Sequence, residues 1–256
     1  PPFVSKQLIQ HLVTSNPSPA YVQRVANVFA DNGSGVRGDM KEVIRAILMD
    51  PEARDDNAVA SQTFGKLREP VVRLVQWAKA FGVTSPTNTW PFGNTGSSAN
   101  RLAQSPGRAP SVFNFFRPGY VPPNTTLTPS GATAPEFQLV NESSVGGYLN
   151  FMQSVIERGI NCPNPAVPQA AWDNYAYDVQ ANYATELSLV ADANALVNHV
   201  CLVLAAGQIS SASRGTMVAA LNATPVTTAS TQTVKLRRVW AAILMVMASA
   251  EYLIQK

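Results

Sequence analysis

Two carboxylates six residues apart, Glu136 and Glu142, follow a proline-rich loop and flank Asn141. In this 256-residue chain they are the residues whose types and spacing could do acid–base chemistry. With the Arg117 guanidinium alongside, they could act as the acid and base of a hydrolase or as ligand-holding groups. A plainer alternative gives each a structural task. Glu136 then follows Pro135 in the first turn of a helix, Asn141 or Ser143 caps the next helix, and Arg117 anchors its loop by a salt bridge. The residue types favour this plainer alternative.

Other chemistry-bearing residues point the same way. His11 and His199 are the only histidines, and neither has a second histidine or an acid three or four residues away to make a helical metal pair. There is no Gly-x-Ser-x-Gly elbow, phosphate-binding Gly-Lys-Ser/Thr, Gly-x-Gly-x-x-Gly or His-Glu-x-x-His. No cofactor or metal is expected. Asp31-Asn-Gly-Ser-Gly35 has oxygen donors but lacks the alternating acids of a calcium loop, so it reads as a helix stop. In Arg37-Gly38-Asp39, Gly38 and Asp39 suit a helix start better than an adhesive tripeptide. Cys162 and Cys201 are too few for a disulfide framework. Bonded in an oxidising compartment they would close a loop of about 40 residues, worth about 3–4 kcal/mol; two unpaired thiols are the simpler reading.

The elements that position these residues are helical, and the fold class expected is all-α. Phe3, Val4, Leu8, Ile9, Leu12 and Val13 mark a first amphipathic helix, and Ser18-Pro19 opens a second carrying Val22, Val25, Ala26 and Phe29. A third carries Met40, Val43, Ile44, Ile47 and Leu48, and a fourth begins at Pro70 and stops at Gly82. Residues 1–82 therefore read as an N-terminal helical unit and 136–256 as a C-terminal one. Between them, 83–135 is a long irregular segment rich in Ser, Thr, Asn, Pro and Gly. It also carries Trp90, Phe92 and a run of aromatics, so it is expected to pack on the helices as part of one compact domain. A further helix is opened by Asp192, and the last begins near Val234. One offset pairs Leu12, Val25, Ala26 and Phe29 with Leu204, Met217, Val218 and Leu221; another pairs Ile44, Ile47 and Asp50-Pro51-Glu52 with Ile243, Val246 and Ser249-Ala250-Glu251. Two equivalent three-helix units around the irregular segment would produce that pattern.

The composition, 46% hydrophobic and 14% charged, can bury a sizeable core. Net charge is +3, but the basic residues are dispersed and the densest group is Lys235, Arg237 and Arg238. Nucleic-acid binding, which needs a clustered basic face, is not expected. The longest apolar run, Val239-Trp-Ala-Ala-Ile-Leu-Met-Val-Met-Ala248, is about half of the roughly 20 residues of a spanning helix and reads as core. The sequence starts at Pro1 without a leader pattern and reads as a piece of a longer product.

The central aromatic stretch resembles a known family. Pro110-Ser-Val-Phe-Asn-Phe-Phe-Arg-Pro-Gly-Tyr120 is similar to the signature of the bacterial domain of unknown function 1800 family. Phe3-Val-Ser-Lys-Gln-Leu-Ile-Gln-His-Leu-Val13, Lys66-Leu-Arg-Glu-Pro70 and Met247-Ala-Ser-Ala-Glu-Tyr-Leu-Ile-Gln-Lys256 agree with it, although Ala250 stands where proline is usual. The resemblance implies a periplasmic or extracellular protein, similar to the C-terminal half of a chain about twice as long. It also implies two partners: the missing N-terminal half, or an exported protein of phosphatase- or sulfatase-like type encoded nearby. It carries no activity or catalytic residue. The function expected is therefore a non-catalytic structural or binding module for a partner protein or an extracellular polymer. Phe113, Asn114, Phe115, Phe116, Arg117 and Tyr120 are the binding candidates, together with Glu136, Asn141 and Glu142. The alternatives are a hydrolase using Glu136 and Glu142, and a carbohydrate-binding module using Trp77, Trp90 and Trp172 as stacking platforms.

Overall fold

In a computed structural model, which describes residues 1–61, 63–160 and 178–256, the chain is mainly helical, with a two-stranded sheet as its only sheet among the described residues. It divides into two compact units. The first comprises residues 1–68, 109–140 and 254–256, and the second 69–108 and 141–253.

In the first unit, α1 (Pro2–Leu12), α2 (Pro19–Ala30) and α3 (Met40–Met49) pack against one another. The starts of α2 and α3 have local causes. The Ser18 side chain accepts the Tyr21 N–H with Pro19 in the first turn, and Asp39 accepts the N–H groups of Lys41 and Glu42. The core is small: Ile9, Tyr21, Val25, Val43 and Ile47 are fully buried. Tyr21 donates its hydroxyl to the Ile47 carbonyl at 2.6 Å, tying α2 to α3. The apolar stripes expected for α1 and α3 are only half used. Phe3, Val4 and Leu12 are exposed while Ser5 and Gln10 are buried, and on α3 only Val43 and Ile47 turn inward. A bundle of three short helices has room for one inward row per helix, and α1 spends part of its row on polar anchors.

The edge of this unit is a sheet of β1 (Lys66–Leu67) and β2 (Ile254–Gln255), antiparallel, with Lys66 opposite Gln255. Gly65, at φ 120°, lets the strands meet, since a Cβ there would lie 2.7 Å from the Gln255 carbonyl oxygen.

The second unit holds α4 (Pro70–Ala80), α5 (Glu142–Arg158), α6 (Ala184–Ser188), α7 (Ala193–Ala205), α8 (Ser211–Asn222), α9 (Gln232–Ala248) and α10 (Ala250–Leu253). α7, α8 and α9 pack mutually, and α5 lies along α9. Trp77, Met152, Leu196, Val200, Val239, Ile243, Met247 and Tyr252 are fully buried, which places the long apolar run of α9 in the core. No helix among the described residues is long and apolar enough to cross a membrane. Buried tyrosines cross-link the helices: Trp77 donates to the Tyr183 hydroxyl, which donates to Ile156 O, each at 3.0 Å, and Tyr148 donates to Met247 O at 3.1 Å. The irregular 83–108 stretch is fastened to α4 through Gln104, which accepts the Val71 N–H and donates to Glu69.

The paired offsets seen in the sequence have a counterpart in hydrogen bonds. Ser18, the N-cap of α2, donates its backbone N–H to Glu52 at 3.0 Å, and Ser210, the N-cap of α8, donates its backbone N–H to Glu251 at 3.0 Å. Ser210 stands where the first offset carries Ser18, and Glu251 where the second carries Glu52. In each unit a carboxylate just past the third helix holds the start of the second.

Candidate functional site

The aromatic segment belongs to the first unit, and its base is rigidly held. The buried Gln10 amide lies within hydrogen-bond reach of three acceptors: the carbonyls of Pro118 and Ser15, each at 2.9 Å, and Thr133 Oγ1 at 3.2 Å. Thr133 donates its N–H to Asn16 and its hydroxyl to Ser15 O. Ala134 donates to Tyr120 O at 2.9 Å, and the Arg117 N–H to Gln138 Oε1 at 2.5 Å. Phe116 is buried, its ring centroid 5.6 Å from that of His11 on α1.

Beyond this base the chain turns back on itself. Asn114 donates to Ser111 O at 3.1 Å with φ 65°, a left-handed conformation that asparagine tolerates. The turn puts Val112, 95% exposed, and Phe113, 45% exposed, at its tip. Phe113 is shared by two recesses. The smaller, about 60 Å³, is lined by Gln7, Gln10, His11, Asn114 and Phe116 among others. The larger, about 490 Å³, runs along Arg117, Pro118, Tyr120 and Gln138. No carboxylate lines either recess among the described residues, and the Gln10 side-chain oxygen Oε1 is buried without a donor. Arg117 is exposed and held by no ion pair among the described residues.

Glu136 is 1% exposed and structurally engaged. It accepts the Ser15 hydroxyl at 2.7 Å and lies 3.8 Å from Lys66 Nζ, which itself donates to the His11 carbonyl at 2.7 Å and the Gln10 carbonyl at 3.2 Å. This network ties the loop after the aromatic segment to α1 and β1. Asn141 and Glu142 fall in the second unit, where Asn141 forms a capping box with Ser144 and Glu142 is exposed in the first turn of α5. The structure thus brings Phe113, Asn114, Phe116, Arg117 and Tyr120 together around two recesses, with Phe115 half-buried beside them. It places Glu136 under them, as a support.

Of the tryptophans, Trp77 is core and Trp90 is 42% exposed, stacked at 6.3 Å on Phe92; Trp172 lies outside the described residues. Cys162 also lies outside them, so the bridge to Cys201 is not described. Burial pushes the Cys201 thiol up to about 11. Sequence reasoning missed Gln7, Gln10, His11 and Gln138. The signal for Gln10 was a polar residue beside Ile9 on the inward face of an amphipathic helix.

A mainly helical protein whose one aromatic turn is braced by buried polar groups is the class that fold and site define. The chain belongs to the family described as protein of unknown function (DUF1800), which it matches over residues 1–254. No curated protein and no solved structure matches it.

Proposed function

We propose that the chain is a non-catalytic binding module of an exported bacterial protein and that the tip of its aromatic segment seats in a partner protein. One observation carries this reading: Val112 and Phe113 stand exposed on a turn whose base is fixed by Gln10, Thr133 and the Glu136–Lys66 pair. A prefixed loop loses little conformational freedom on binding, so the apolar area of its tip converts to affinity efficiently. The most exposed residue of the tip, Val112, is aliphatic, which suits an apolar protein pocket better than a sugar, whose stacking takes a flat aromatic face ringed by hydrogen bonds. The free Arg117 guanidinium adds a preference for an acidic rim. The family resemblance suggests the exported phosphatase- or sulfatase-like protein as that partner.

A photoreactive residue at Val112, in the bacterium that makes the protein, tests this reading. The expected result is one dominant adduct with that partner, absent when the same group replaces Gln23, an exposed residue of α2. Equal labelling from both positions, or adducts with no protein, would remove it.

A further inference from the structure

The second unit carries a separate recess whose polar lining is dominated by hydrogen-bond donors. Asn150, Ser154 and Arg158 recur every four residues along one face of α5, and Asn100 and Arg101 face them from the preceding loop. This approach depends on Gly147, where a Cβ would overlap the Ser98 carbonyl oxygen. Arg101 is held by its guanidinium lying 5.2 Å over the Phe151 ring centroid, and Arg158 reaches Ser154 Oγ at 3.3 Å. Phe151, Val155 and Ile160 form a buried apolar floor.

The volume is about 390 Å³, near the lower end of ligand sites. No carboxylate lines the recess among the described residues; Glu157 of the same helix faces a different surface, with Arg237 and Trp240. Two guanidinium groups without an acid select an anion, since each offers a planar fork to a carboxylate or sulfate. Two side-chain amides and a hydroxyl around them suit the hydroxyl groups of the same ligand.

We infer that this recess binds an acidic sugar, a monosaccharide unit carrying a carboxylate or a sulfate. Because Arg158 is exposed, a single sugar binds weakly, with Kd about 1 mM. A polymer of such units would gain by presenting many of them.

The test is titration of the purified chain, followed by NMR, with glucuronate, glucose 6-sulfate, glucose and inorganic sulfate. Saturable binding of either acidic sugar, at least tenfold tighter than glucose and than sulfate alone, supports the inference; which of the two binds separates a uronate from a sulfated polymer. Arg158→Gln, on an exposed last turn where folding is not at risk, should weaken that binding about tenfold. Arg101→Gln should do the same, and Arg45→Gln, on the exposed face of α3 in the other unit, should leave it unchanged. Glucose or bare sulfate binding as tightly as the acidic sugars, no binding of either, or indifference to Arg158→Gln would overturn it.

Discussion

Glu136 shows how a residue suited to catalysis in sequence can be structural in space. Its carboxylate is buried against Ser15 and Lys66, and Lys66 is itself 5% exposed and bound to two carbonyls. Removing one member of such a pair strands the other, so Lys66→Met should cost about 3 kcal/mol in urea unfolding. Replacing the exposed Glu142 by Gln should change stability by less than about 0.5 kcal/mol. Asp50 gives a pH-dependent case. Burial raises its pKa, but the two-point bond from Arg24, Nε to Oδ2 and Nη2 to Oδ1 at 2.7 Å each, outweighs that and holds it below the usual carboxylate value. A depressed folded-state pKa stabilises above the unfolded value of about 4, and the contribution is lost as pH falls through the folded value. Asp50→Asn should therefore destabilise by about 1–2 kcal/mol at pH 7, with the gap from wild type closing in denaturation curves taken progressively below pH 4. None of these partners was legible in sequence: Ser15, Lys66 and Glu136 are far apart in the chain, and only folding makes them neighbours.

At the scale of the elements, the local chemistry was readable. The caps at Ser18, Asp39, Asn141 and Asp192 open helices where their types and flanking residues predict. The inward face of each helix was less so, because Phe3, Ile44 and Leu48 have the apolar character of core residues yet stand exposed. α5 offers a sharp comparison in two adjacent glycines. Nothing lies within 4 Å of a Cβ at Gly146, whereas at Gly147 it would strike the backbone of residues 98 and 99. Gly146→Ala should raise stability by about 0.5–1 kcal/mol and Gly147→Ala should lower it, both read from thermal unfolding. The recurrent cap makes a matching pair of predictions: Ser18→Ala and Ser210→Ala should each cost about 1 kcal/mol. A double-mutant cycle of Ser18 with Glu52 should show coupling, because the Ser18 hydroxyl as well as its backbone N–H donates to that carboxylate.

For the molecule as a whole, the mainly helical class was evident from apolar periodicity and punctuation. The short sheet was not, because two-residue strands have no alternation to read and β2 pairs with a strand far earlier in the chain. The aromatic segment was visible as a concentration of rings and prolines, but which rings are buried depends on His11 and Gln10 of α1. Phe116 goes in, and Val112 and Phe113 stay out. That division is the basis of the proposed binding role, and calorimetric titration of the chain with the exported phosphatase- or sulfatase-like protein measures it directly. The prediction is a saturable complex that Val112→Asp weakens at least tenfold, without a change in the chain's melting temperature, as expected for an anchor at the centre of an interface. Equal affinity of wild type and Val112→Asp, or no complex at all, would contradict it.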